Sequence, residues 1–108
     1  MYKLCFFVPE NSLETVKTAV FDAGAGSLGQ YDKCAWQTLG QGQFRPLQGS
    51  DPHVGEQDRL EQVAEYRVET LCSQAHIRAV IAALRLAHPY EEPAFDIIGL
   101  IDPEDLGA

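Results

Sequence analysis

Apolar residues alternate at the start of the chain, recur every three or four positions, and then alternate again. Residues 2 to 8, YKLCFFV, are rich in aromatic and β-branched types and too short for a helix, so they predict a strand. Both of its faces are apolar, which suits the middle of a sheet. Pro9 ends it. Asn11 and Glu14 then have the spacing of a capping box, and Leu13, Val16 and Val20, widened by Phe21, make a helical stripe. Gly24 and Gly26 close that helix by supplying left-handed backbone after its end.

Residues 31 to 39, YDKCAWQTL, predict a second strand with Cys34, Trp36 and Thr38 on one face. Residues 40 to 58 carry four glycines and two prolines and predict a long loop, with Phe44, Pro46 and Leu47 as a short strand or docked hairpin. Residues 61 to 72, EQVAEYRVETLC, predict the longest strand. Ala64, Tyr66, Val68, Thr70 and Cys72 form its core face. Val63, Glu65, Arg67, Glu69 and Leu71 form a charged face suited to solvent or a subunit contact. Ser73 is the expected N-cap of a second helix running to about His88, with Ile77, Val80, Ile81 and Leu84 as its stripe. Pro89 ends that helix because it disfavours helical geometry at His88. Residues 94 to 101, AFDIIGLI, predict the last strand, and 102 to 108 a polar tail.

The order β-α-β-β-α-β predicts an α+β fold of the ferredoxin-like, split-βαβ kind, an antiparallel sheet with two helices on one face. Residues 1 to 101 are expected to form one domain, and 108 residues leave no room for a second.

Charge changes the picture of partners. The net charge of −8 disfavours phosphate backbones, so no nucleic acid is expected, and it would attract cations. The three cysteines, Cys5, Cys34 and Cys72, are odd in number and widely spaced, with no CxxC pair. They predict reduced thiols in a cytoplasmic protein rather than a disulfide framework or a thiolate zinc site. No signal peptide or membrane-spanning run is apparent.

Few motifs carry chemistry. GAGSLG, residues 24 to 29, matches the dinucleotide fingerprint by letter, but a helix precedes it and a strand follows, the reverse of what a pyrophosphate site needs. It reads as a helix end and turn. His53, near Asp51, Glu56 and Asp58, reads either as a cation-binding loop or as a solvated one, and His76 as a surface residue. HPYEEPAFDI, residues 88 to 97, is the densest stretch. Structurally, Pro89 and Pro93 stiffen a corner and Tyr90 packs on it. Functionally, His88, Glu91 and Glu92 could form a divalent-metal half-site for copper or zinc, released when His88 protonates.

The stretches AGAGSLGQYDKCAWQTLGQGQFRPLQGSDPHVG, EYRVETLC and HPYEEPAFDI resemble the YqfO-type insert domain of the NGG-interacting-factor (Nif-three-like) family and its stand-alone relatives, over residues 1 to 101. The resemblance implies a ferredoxin-like fold akin to the CutA and PII proteins. HPYEEP also resembles a block of CutA, the divalent-cation-tolerance proteins, which implies trimers and a link to copper. The family's two-metal site lies in flanking domains, so its residues have no counterpart here, and hydrolase activity is expected to be absent.

The resulting expectation is a non-enzymatic, homo-oligomeric module, a trimer, that binds a small ligand or a divalent metal. Tyr90, Trp36 and Phe44 are the candidate ligand contacts, and His88, Glu91 and Glu92 the candidate metal set. One alternative is a protein-interaction domain without a ligand. The other is a hydrolase using His88 and Glu91 as acid and base.

Overall fold

The computed structural model describes residues 1 to 107. Its elements follow the order β1 (Tyr2–Pro9), α1 (Leu13–Asp22), β2 (Ala35–Phe44), β3 (Glu61–Cys72), α2 (Ile77–Ala87) and β4 (Phe95–Gly99). Single 3-10 turns at Glu10–Ser12 and Pro103–Leu106 flank them. The sheet order is β2-β3-β1-β4 and every pairing is antiparallel, which is the ferredoxin-like arrangement.

The core lies between one sheet face and the two helices. Leu4, Phe6 and Val8 of β1, Val68 of β3, Val16 and Val20 of α1, and Val80 and Leu84 of α2 are fully buried. Each such side chain contributes about 1.5–3 kcal/mol on leaving water. The other sheet face carries no helix. By register it presents Lys3, Cys5 and Phe7 beside Leu71, Glu69 and Arg67, with Trp36 and Thr38 on β2. Arg67 pairs with Glu69 of its own strand at 3.2 Å. The three cysteines are free thiols; Cys5 and Cys72 are buried and Cys34 is partly so. Burial pushes the Cys5 thiol up, with Arg67 countering part of the shift, and pushes Cys72 up as well.

β3 has the bounds its alternation predicts, but β2 does not. It starts at Ala35 rather than residue 31 because Lys33 takes a left-handed φ of 54° and the Cys34 amide donates to Gly26 O, 2.9 Å away, instead of to the ladder. It then runs through Gly40 and Gly42 to Phe44, so the connection is shorter than the expected 40 to 58. Gly42 fits a strand interior because the Glu65 side chain lies where its Cβ would be. β1 pairs with β3 only from Glu65 to Cys72, so residues 41 to 44 and 61 to 64 extend past it as a two-stranded ribbon. The Cα radius of gyration is 15.6 Å, against about 13 Å for a compact chain of this length.

Neither expected cap forms. Asn11 lies in the 3-10 turn, the N-cap Ser12 makes no side-chain cap bond, and Glu14 sits 3.4 Å from Lys17 Nζ. Ser73 to His76 form a turn before α2, with Ser73 Oγ 2.8 Å from His76 Nδ1. The His76 ring instead packs over Gly24, whose φ is +122°. β4 ends at Gly99, although Leu100 N still donates to Met1 O at 3.0 Å. In the tail, Asp102 accepts from Glu104 N, and Ala108 lies outside the described residues. Among the described residues no helix is long and apolar enough to cross a membrane.

Candidate functional site

The HPYEEP corner follows α2 directly. His88 is the C-cap residue in extended geometry, as the following proline demands, and its side chain turns inward to only 6% exposure. Its Nε2 lies 2.7 Å from Phe7 O, and its Nδ1 accepts from Tyr90 N at 3.1 Å. A ring nitrogen that accepts a main-chain N–H carries no proton, so the ring is the neutral Nε2–H tautomer donating to Phe7. Burial lowers the His88 pKa below 6.5, and this outweighs the opposing pull of the Phe7 bond and the Glu65 charge.

Both His88 nitrogens have main-chain partners, so neither offers a free lone pair. Glu91 and Glu92 are exposed, and Glu91 Oε1 accepts from Asp51 N at 3.1 Å. Among the described residues no group of three or more His, Cys, Asp or Glu side chains comes together to hold a metal ion. His88, Glu91 and Glu92 do not come together as a ligand set among the described residues. Both nitrogens of His88 are engaged by the main chain, whereas the exposed Glu91 carboxylate accepts one bond, from Asp51 N. His53 is exposed and does not gather Asp51, Glu56 and Asp58; Glu56 faces Arg59 at 3.4 Å.

The corner instead forms one wall of a cleft of about 400 Å³. Its other wall is the end of β2 and the segment that follows, residues 45 to 54. Phe44 and Tyr90 stand 5.9 Å apart, and Tyr90 also touches the rings of His88 (5.0 Å) and His53 (6.2 Å). Phe7 and Glu65 of the sheet line it too. The connection is tied down by the buried Pro46, whose carbonyl accepts from Asp58 N, and by the Asp51–Glu91 bond across the cleft. The Tyr90 hydroxyl is buried beside the Glu65 carboxylate, and burial first, then the Glu65 charge and a weak hydrogen bond toward it, push its pKa up to about 12.

Of the expected ligand contacts, Phe44 and Tyr90 meet here. Trp36 does not: it lies opposite Glu69 at the far end of β2, 58% exposed. Phe7 and Glu65 were not among the sequence candidates. The signal that could have found Glu65 is a carboxylate in the long strand opposite Gly40 of β2, with Gly42 diagonal to it.

No family model matches the chain. It is 46% identical over 101 residues to a Mycobacterium tuberculosis protein named GTP cyclohydrolase 1 type 2 homolog, covering 94% of this chain and 27% of that one. It is 41% identical over 108 residues to a protein of the same name from Halalkalibacterium halodurans, covering 99% of this chain and 29% of the other. The chain thus spans about a quarter of the length of the curated relatives it matches. A solved Bacillus cereus protein related to NIF3 superposes with a TM-score of 0.80 at 40% identity, over 94% of this chain and 26% of that one. CutA from Xylella fastidiosa superposes with a TM-score of 0.65 at 22% identity, over 97% and 89% of the two chains, a likeness of fold. By sequence and by fold the chain is similar to about a quarter of the length of these NIF3-related and cyclohydrolase-homolog proteins.

Proposed function

We propose that this chain is a cytoplasmic, homo-oligomeric binding module that holds a small ligand in the cleft between Phe44 and Tyr90 and performs no catalytic step itself. The observation that carries the reading is the cleft. Its volume falls in the range of about 300–1,000 Å³ usual for small-molecule sites, and apolar walls surround a few polar groups. The free thiols support a reducing compartment. The helix-free sheet face supports oligomerisation, and a trimer is the state proposed for it. The relatives' name points to cyclohydrolase chemistry, but this chain spans only about a quarter of their length, so that activity is not carried over to it.

The test is a fragment screen followed by amide chemical-shift mapping on the whole chain. Shifts confined to Phe7, Phe44, Tyr90 and the residues 45 to 54 are expected, and a Phe44→Ala variant that stays folded should lose them. Fragments that shift only the Trp36 end of the sheet would displace this reading in favour of an interaction surface.

A further inference from the structure

We infer that the ligand of this cleft is a small organic cation, an ammonium or guanidinium group on a short apolar or aromatic stem, and that Glu65 is its anionic anchor. The inference rests on the reading of the cleft as a ligand site.

Glu65 occupies a singular place. It lines the cleft, and it also lines a smaller hollow of about 270 Å³ on the helix-free sheet face, alongside Phe7, Gly40, Gly42 and Arg67. The two spaces share Phe7 and Glu65. A Cβ on Gly42 would collide with the Glu65 carboxylate, so β2 carries a glycine where the carboxylate lies. The strand leaves room for this charge at some cost to itself, since glycine weakens a strand interior.

That charge is uncompensated. Glu65 belongs to none of the ion pairs formed among the described residues, and Arg67, the guanidinium in the neighbouring hollow, is paired with Glu69 at 3.2 Å. Glu65 is only half exposed to water, and a carboxylate withdrawn from water without a partner is unfavourable. The Tyr90 hydroxyl lies beside the Glu65 carboxylate and offers it at most a neutral donor, which leaves the charge itself unbalanced.

The surroundings select the sign of the missing partner. Phe7, Phe44 and Tyr90 supply ring faces, which attract ammonium and guanidinium groups within about 6 Å. Glu91 and Glu92 add negative charge at the rim, against the exposed Arg45, in a chain of net charge −8. An anionic ligand would meet three carboxylates. A neutral one would leave Glu65 as it is. A cation satisfies the carboxylate and the ring faces together.

Calorimetric titration and amide-shift mapping with three matched probes test this: phenethylammonium, its neutral isostere 2-phenylethanol, and the anion 3-phenylpropanoate. The ammonium should bind about tenfold or more tightly than the alcohol, as a charge-assisted bond requires. Added salt should erode that preference, and Glu65→Gln should bring the ratio close to one. If the alcohol or the propanoate binds at Phe44 and Tyr90 as tightly as the ammonium, the cation inference fails and the cleft reading stands. If none of the three shifts those residues at millimolar concentration, both fail. Should Glu65→Gln not fold, the probe ratio and its salt dependence in the unmodified chain still decide the matter.

Discussion

The Nε2 of His88 lies 2.7 Å from the carbonyl oxygen of Phe7, 81 positions earlier in the chain. One buried imidazole thereby ties the end of α2 to the central strand, while its other nitrogen orients Tyr90. His88→Ala should therefore lower the unfolding free energy by about 2–4 kcal/mol, since it opens a cavity and strands the Phe7 carbonyl and the Tyr90 amide. Urea denaturation measures this. Calorimetric titration with copper and zinc should give no heat in either protein, and a strong signal lost in the variant would restore the metal reading.

Acid should loosen the same link. The folded pKa of His88 is depressed below the unfolded value of 6.5. Above 6.5 the neutral ring contributes its full stabilisation. As pH falls from 6.5 through the folded pKa, the unfolded chain binds the proton more readily and stability declines. Midpoints measured from pH 7.5 to 5 should fall, and His88→Ala should flatten that part of the profile.

Gly24→Ala should destabilise through two separable causes. Its φ of +122° is strained for any residue with a Cβ, and the new methyl would meet the His76 ring at 2.7 Å. A loss of about 1–3 kcal/mol is expected. The double variant with His76→Ala should recover the steric part and leave the backbone part, which a double-mutant cycle by thermal melting resolves.

Two leucines two residues apart on α2 should behave oppositely. Leu84 is fully buried and Leu86 is 90% exposed. Leu84→Ala should cost about 2–5 kcal/mol, and Leu86→Ala should stay within about 0.5 kcal/mol of the unmodified chain. Equal effects in urea melts would mean that Leu86 is covered in solution by another copy.

Light scattering at micromolar concentration should report a trimer. A charge reversal at Arg67, which sits on the helix-free face with its partner Glu69, should weaken it. A monomer across the concentration range would remove the oligomeric part of the proposed function.

Elements defined by a long, regular period were legible in the sequence; features set by distant partners were not. The alternation of β3 predicts Glu61–Cys72, and the glycines after α1 mark its end. Gly40 and Gly42 read as turn formers because no local signal shows that the Glu65 side chain would fill the space at 42. Asn11 and Ser73 look like caps, yet neighbouring turns displaced both helix starts. His88 looked like a ligand because the Phe7 carbonyl that claims it is far away in the chain. Trp36 looked like a ligand contact on residue type alone, though its position at the end of β2 away from the cleft leaves it in solvent.

The ribbon of residues 41 to 44 and 61 to 64 has a consequence for the order in which the molecule comes apart. Past the reach of β1 its hydrogen bonds are held by one neighbouring strand instead of two. Its amides should exchange with solvent by local opening, well before those of Leu4 to Val8 open with the whole fold. Phe44 sits at the tip of this fraying segment, paired with Glu61, and Tyr90 on the firmly held corner. A molecule bridging the two would slow exchange in the ribbon while leaving the core rates unchanged.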